Sequence, residues 1–146
     1  MKKTLLAVAA VLAASTAMAQ TADTLKKIKD SGSITLGVRE SSGLSYTIGN
    51  GKFVGFHTEM AERVIADLQK QLGLAKLEVK YQPVTSQNRI PLVQNGTVDL
   101  ECGSTTNNIE RQRQVDFSVG IFEVGTRLLT KKTSGVNDFP DLKGKN

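Results

Sequence analysis

Cysteine and histidine are almost absent from this sequence, which contains one of each. The lone cysteine, Cys102, excludes a disulfide within the chain, and its place in an alternating apolar run favours a small buried hydrophobe unless a partner lies outside the chain. The lone histidine, His57, begins an amphipathic segment, where we expect a solvated or helix-capping residue because nothing is paired with it for acid–base chemistry. The spacing of acidic, histidine and cysteine residues shows no metal site. The sequence therefore predicts neither a nucleophilic enzyme nor a metalloprotein.

Apolar runs long enough to span a membrane are also lacking. The chain opens with two lysines, an apolar run from Leu5 to Ala14, and small residues before Gln20. This run is shorter than the roughly 20 residues of a transmembrane helix. The triplet Ala17-Met18-Ala19 fits a small-x-small cleavage site. We therefore predict a signal peptide at residues 1–19, cleaved after Ala19, no lipid anchor, and an exported soluble protein.

Positive charge is not concentrated in any one block. Without Lys2 and Lys3 of the predicted signal peptide, the formal net charge falls from +5 to +3. The remaining lysines and arginines alternate with acids, as they do around Lys26, Lys29 and Asp30. This pattern is typical of a solvated surface, so we expect no nucleic-acid binding.

Strand and helix patterns alternate along the chain. Apolar residues recur every second position in the predicted strands and every three or four positions in the predicted helices. The predicted helices are residues 24–30, 57–72, 86–95 and 107–114, the predicted strands are residues 33–39, 76–82, 98–102 and 120–131, and a hairpin pairs residues 46–48 with residues 53–56. Because strands that alternate with helices are joined by right-handed crossovers, we predict an α/β fold with a mainly parallel sheet flanked by helices.

The stretch at residues 98–118 combines a strand, a hydroxyl-rich turn and a helix start. Three hydroxyl residues, 104–106, follow Gly103, and Arg111 lies in the first turns of the predicted helix. Backbone N–H groups and the positive end of a helix dipole favour an anion at such a turn. With one glycine and no lysine, the turn predicts a carboxylate rather than a phosphate. An ordinary Ser/Thr-rich cap with a solvated arginine is the alternative.

An arginine follows each of the first three main predicted strands. These residues are Arg39, Arg89 and Arg111, and Ser86 is expected to share a helix face with Arg89. Since ligands of open α/β sheets bind beyond the carboxyl ends of the strands, we expect the three guanidinium groups at one edge. Three such groups exceed what one carboxylate needs. The pattern predicts a ligand with two acid groups, and three unrelated surface arginines are the alternative.

Long, irregular strings surround these residues. They are TSQNRIPLVQNGTVDLECGSTTN at residues 85–107, the segment that follows to Arg111, and GTRLLTKK at residues 125–132. In them the chain resembles the glutamate/aspartate-binding members of the family 3 periplasmic solute-binding proteins of ABC transporters. The resemblance implies a monomeric, non-enzymatic periplasmic receptor of the two-lobed venus-flytrap type, without a cofactor. Such a receptor closes on L-glutamate or L-aspartate and hands it to a membrane permease.

The same resemblance implies a role for each predicted site residue. The implied partners are Ser104 for the α-ammonium, Thr106 and Arg111 for the α-carboxylate, and Arg39, Ser86 and Arg89 for the side-chain carboxylate. Family members commonly carry a proline and aromatic residues after the first strand, and residues 41–46 lack that proline. Tyr46 and Phe56 are therefore the candidates for the aromatic residue that covers the ligand.

The resemblance also implies a longer receptor, because the family continues past the DLKGK string at residues 141–145 through a second lobe. It divides this chain into the signal peptide, the amino-terminal part of lobe 1 at residues 20–126, and a hinge strand with the start of lobe 2 at residues 127–146. An acid of the second lobe completes the ammonium site, so we expect weak or no binding by this chain. Two alternatives use the same scaffold: a periplasmic cyclohexadienyl-dehydratase-like enzyme and the sensory domain of a membrane kinase.

Overall fold

The structure, a computed structural model, describes residues 23–145, so the predicted signal peptide at residues 1–19 lies outside the described residues. The elements, in chain order, are α1 (Thr24–Ser31), β1 (Ser33–Val38), β2 (Ser41–Ser42), β3 (Ser45–Thr47), β4 (Phe53–Val54), α2 (Phe56–Gln71), β5 (Glu78–Pro83), α3 (Arg89–Gln94), β6 (Leu100–Glu101), α4 (Ile109–Gln112) and a 3-10 helix (Phe139–Leu142). Across this described part, no helix has both the length and the apolar character needed to span a bilayer.

Strand β1 lies in the middle of a three-stranded parallel sheet, with β5 on one side and β6 on the other. Its alternating residues Ile34, Leu36 and Val38 are buried, as the sequence pattern predicts. The other buried residues of this core cluster come from α1, α2 and neighbouring segments: Ile28, Phe53, Ala61, Ile65 and Leu77. A parallel sheet with helices packed on it confirms the predicted α/β fold.

Helices α1 and α2 begin and end within one residue of their predicted positions, which is the usual uncertainty of helix ends. The side chain of Asp23 caps α1 by accepting a hydrogen bond from the backbone N of Lys26 at 3.1 Å. The helix ends at Gly32, whose φ of 63° is the left-handed conformation that favours glycine. Before α2, Gly55 has φ of 117°, and a Cβ there would lie 2.6 Å from the carbonyl oxygen of Leu44.

The predicted hairpin is present in a second, antiparallel sheet. Tyr46 of β3 pairs with Val54 of β4, and the connecting turn contains Asn50 with a positive φ of 53°. Strand β2 extends this hairpin into a three-stranded sheet that the sequence pattern does not predict. The small sheet lies in the chain between β1 and α2.

Helix α3 is shorter than the predicted helix at residues 86–95, and it begins only at Arg89. The residues before it form a turn, in which the side chains of Thr85 and Asn88 each accept a hydrogen bond from the backbone N of the other, at 3.2 and 2.8 Å. Ser86 therefore lies in the turn before the helix, and the prediction that Ser86 and Arg89 share a helix face is wrong. Pro91 falls in the first turn of α3, where a backbone N–H has no intrahelical partner to lose.

The chain divides into two compact units, with the boundary between Val115 and Asp116. In the second unit, the predicted strand at residues 120–131 is wrong: these residues are in no regular element, and no strand occurs between 116 and 145 to pair with them. The 3-10 helix of this unit has a capping box, in which Asp141 accepts a hydrogen bond from the backbone N of Asp138 at 3.1 Å. The predicted lobe boundary at residue 126 stays a prediction.

Candidate functional site

The carboxyl ends of β1, β5 and β6 meet at one edge of the parallel sheet, because all three strands run in the same direction. Arg39 follows β1, Ser86 follows β5 and Ser104 follows β6. The topology therefore brings the three predicted segments of the site to one edge, where open α/β sheets bind their ligands.

Arg39 connects the first two of these segments. Its Nη1 donates a hydrogen bond to Oγ of Ser86 at 3.2 Å. Both residues line a cavity of about 350 Å³, whose other lining residues are Glu40, Pro83, Val84, Thr85 and Gln87. Two of the six predicted site residues thus share this cavity, and the other four do not line it.

Arg89 is buried at the start of α3, with only 5% of the residue exposed. Its Nη1 lies 3.8 Å from Oε1 of Glu101 in an ion pair. Burial lowers the pKa of Arg89, the negative charge of Glu101 opposes that shift, and the positive charges of Arg39 and Arg111 add to it. Arg39 and Arg111 thus each act on Arg89 through their charge.

Arg111 lies in α4, which covers fewer residues than the predicted helix at 107–114. The side chain of Asn108 caps this helix by accepting a hydrogen bond from the backbone N of Arg111 at 2.9 Å. The guanidinium Nη1 of Arg111 donates to the carbonyl oxygen of Thr106 at 2.9 Å. Thr106 and Ser104 are exposed in the loop between β6 and α4. The structure thus brings Arg111 back over the predicted hydroxyl-rich turn.

Glu101 is the site residue that sequence reasoning missed. Only 10% of its side chain is exposed, and its Oε2 accepts a hydrogen bond from Oγ1 of Thr105 at 2.7 Å. A signal for it exists in the sequence: Leu100 and Cys102 pack toward the core, so Glu101 between them faces the other side of the strand. An acid at that position lies beside Arg89.

His57 and Cys102 both lie near this acid. His57, in the first turn of α2, is buried, with 2% of the residue exposed. The predicted solvated role is therefore wrong. Burial lowers the pKa of His57, and the charge of Glu101 opposes the shift. Cys102 is half-buried and packs against the core as predicted, and burial and then Glu101 raise the pKa of its thiol. Residues 23–145 contain no group of three or more acids, histidines or cysteines able to hold a metal.

Comparison with known proteins assigns the sequence to a family. The sequence model of the bacterial extracellular solute-binding proteins, family 3, matches residues 34–142. The chain belongs to this family. Among family 3 members, the L-glutamate/L-aspartate-binding protein of Pseudomonas aeruginosa is 58% identical over 141 residues, which cover 95% of this chain and 47% of the relative. The glutamate/aspartate import solute-binding protein of Salmonella typhimurium is 55% identical over 123 residues, covering 84% of this chain and 41% of the relative.

This family 3 chain therefore spans less than half the length of these two curated relatives. Among solved structures, an arginine-bound form of domain 1 from TmArgBP matches with a TM-score of 0.57 and 25% identity, covering 69% of this chain and 74% of that one. The neighbours confirm the predicted fold, a partial lobe of the type II periplasmic binding proteins. The names of the curated relatives describe binding proteins and not enzymes.

Proposed function

We propose that this chain forms a ligand-binding lobe of an extracytoplasmic receptor for glutamate or aspartate. The observation that carries the proposal is the grouping of Arg39, Arg89 and Arg111 at one edge of the parallel sheet. The names of the relatives support acidic amino acids as the ligand class. In this proposal the receptor is exported by a signal peptide cleaved after Ala19, acts as a monomer in the periplasm, and delivers its ligand to the permease of an ABC transporter.

The hydrogen bonds among the predicted residues support a ligand with two carboxylates. Arg39 and Ser86 form one polar pair, and Arg111 forms another with the backbone of Thr106. A guanidinium matches either carboxylate with paired, charge-assisted hydrogen bonds. Following the roles that the family resemblance implies, we assign the first pair to the side-chain carboxylate and the second to the α-carboxylate. Buried Arg89 joins the first pair at the side-chain carboxylate.

The rest of the mechanism is closure around the bound ligand. Residues 20–126 supply the amino-terminal part of lobe 1, which holds the carboxylates in the open state, and Ser104 receives the α-ammonium. Residues 127–146 begin the hinge and the second lobe. A second lobe that contacts the ligand only when shut would couple affinity to closure, since a ligand favours the conformation that it contacts most.

We assign no reaction to this site. The carboxylate of Glu101 forms an ion pair with Arg89 and accepts a hydrogen bond from Thr105. Both contacts give this acid a structural role. Burial raises the pKa of the Cys102 thiol, so the thiolate needed for nucleophilic attack is disfavoured at neutral pH. These contacts favour a binding function over the dehydratase alternative.

Titration of arginine variants with glutamate and glutamine at millimolar concentrations tests the proposal. Arg111→Ala should weaken the binding of both amino acids by roughly 30-fold, because both carry the α-carboxylate. Arg89→Ala should weaken glutamate by a similar factor but leave glutamine nearly unchanged, because only glutamate has a side-chain carboxylate. Isothermal titration calorimetry or NMR titration measures both constants.

Two further variants make this test decisive. Arg39→Ala removes the other guanidinium that we assign to the side-chain carboxylate. Because Arg39 is only half-buried, this variant measures the preference for glutamate over glutamine even if Arg89→Ala folds poorly. Arg63→Ala on the exposed side of α2 is the matched control and should change neither affinity. Equal weakening of glutamate and glutamine by Arg89→Ala and Arg39→Ala would show that the proposed division of the site is wrong.

A further inference from the structure

Glu101 lies in a space that the chain leaves open for it. It pairs in register with Gly37 of β1, and a Cβ on Gly37 would come within 3.3 Å of the Glu101 Cγ. A Cβ on Gly103 would overlap the Glu101 Oε1 and would lie 3.1 Å from Cγ of Arg39. Two glycines therefore provide the room for an acid beside the arginines, at a position where a carboxylate repels an anionic ligand.

The carboxylate of Glu101 balances the charge of Arg89 without accepting hydrogen bonds from its Nε and Nη1. Oε2 accepts the hydrogen bond from Thr105, while Oε1 stays 3.8 Å from Nη1 of Arg89, which is beyond hydrogen-bond distance. The buried Nε and Nη1 of Arg89 have no hydrogen-bond partner. A buried charge is costly unless a counter-ion is near, so this ion pair lowers the cost of burying the charge of Arg89 and leaves its N–H groups available.

We propose that Glu101 is the counter-ion that stabilises the buried charge of Arg89 in the ligand-free lobe, and that its negative charge limits how strongly the site prefers an acidic side chain. The first half concerns the protein alone. The second half rests on the proposed function, because it concerns the choice between ligands.

The charges at the site give the direction of the effect. Three guanidinium groups and one carboxylate leave two net positive charges, and Glu101→Gln raises this to three. The side-chain carboxylate of glutamate gains from the added positive charge, whereas the neutral amide of glutamine does not. The α-carboxylate and α-ammonium are common to both ligands. Glu101→Gln should therefore raise the ratio of the glutamine Kd to the glutamate Kd by about ten-fold.

Calorimetric titration of four proteins measures this ratio: the wild type, Glu101→Gln, Thr105→Val and Glu59→Gln. Thr105→Val keeps the charge of Glu101 and removes only its hydrogen bond, so the ratio should stay within about two-fold of the wild type. Glu59→Gln removes the same charge from the exposed surface of α2 and should leave the ratio unchanged. A merely structural role for Glu101 would weaken both ligands together, and an unchanged or lower ratio in Glu101→Gln would overturn the selectivity half.

A double-mutant cycle in the absence of ligand tests the counter-ion half separately. Thermal unfolding is measured for the wild type, Arg89→Gln, Glu101→Gln and the double variant. Each single variant leaves one buried charge unbalanced, so we expect the double variant to lose clearly less thermal stability than the two single losses added together. Additive losses would overturn the proposal. If the wild type shows no measurable binding of glutamate or glutamine, the selectivity half and the proposed holding of the carboxylates by the open lobe fail, while the cycle still decides whether Glu101 pairs with Arg89.

Discussion

Arg89 keeps its charge in surroundings that oppose it. Its side chain is 6% exposed, and Arg39 and Arg111 add positive charge to the same region. Glu101 is the acid that offsets this repulsion across 3.8 Å. A guanidinium in this position loses hydration but retains unused donors, which is the condition in which a carboxylate ligand is bound most strongly. In the proposed site, the arginines therefore attract anions, and the negative charge of Glu101 moderates that attraction.

His57 makes the stability of the folded chain depend on pH. Burial lowers its pKa below the ordinary value of 6.5, so the unfolded chain binds a proton at a pH where the folded chain does not. The stability of the wild type should be constant with respect to this group above about pH 6.5 and should fall as the pH drops below it. Urea unfolding at pH 7.5 and pH 5.5 measures the change.

The matched variant for this prediction is His57→Gln, which removes the only histidine of the sequence. It is expected to be less stable at both pH values and to lose less stability between them than the wild type does. Equal losses in the two proteins would mean that groups other than His57 determine the pH dependence.

The residues of the site differ in how far the sequence alone predicts them. The arginines are predictable, because each follows a strand whose alternation is clear and parallel strands end at one edge. Glu101 is not, because alternation shows only that it faces away from Leu100 and Cys102. Its burial depends on Arg89 and Thr105, which reach it from other parts of the chain. His57 is missed for the same reason: the helix pattern gives no sign that its first turn is buried.

At the scale of elements, one acid holds three parts of the lobe together. Asp99 lies just before β6, and its side chain is 2% exposed. Its Oδ1 accepts a hydrogen bond from Nζ of Lys27 in α1 at 2.7 Å, and its Oδ2 accepts one from the backbone N of Thr35 in β1 at 2.8 Å. Because both oxygens are used, the start of β6 is fixed relative to α1 and β1.

Asp99→Ala should destabilise the lobe by about 3 kcal/mol, because it leaves the backbone N–H of Thr35 without its acceptor and Lys27 without its counter-ion. Asp99→Asn keeps an acceptor for Thr35 and loses the charge, so it should cost about half as much. Chemical unfolding measures both free energies. The control is Asp67→Asn in an exposed pair with Lys70, for which we expect about 0.5 kcal/mol or less. Similar losses for Asp99 and Asp67 would contradict the role of this acid.

The elements that the sequence predicts well carry their own start and stop signals. Helix α1 has Asp23 at its start and Gly32 at its end, and β1 alternates without interruption. The predicted start of α3 is three residues too early, because residues 86–88 form a turn between the reciprocal hydrogen bonds of Thr85 and Asn88 and the regular helix begins at Arg89. The strand predicted at residues 120–131 fails because an extended segment becomes a strand only when a partner strand lies beside it.

At the scale of the molecule, all six predicted site residues belong to the first compact unit, which ends at Val115. The unit therefore holds both groups of proposed carboxylate contacts without residues 116–145. The longer relatives have more than twice the length of the matched segment, so the proposed receptor has further contacts to add on closure. Affinity should then divide between an open lobe that attracts the ligand and a closed state that retains it.

This division predicts weak binding by the chain alone. We expect a Kd for glutamate above about 1 µM, since contacts made only on closure contribute nothing and each lost factor of ten corresponds to about 1.4 kcal/mol. Glutamate should raise the unfolding temperature only as its concentration passes that Kd, because stabilisation by a ligand follows the logarithm of its concentration relative to Kd. Calorimetry measures the Kd, and thermal unfolding in about 0.01 to 10 mM glutamate measures how the unfolding temperature depends on the ligand concentration. Sub-micromolar affinity would contradict the proposed need for a second lobe.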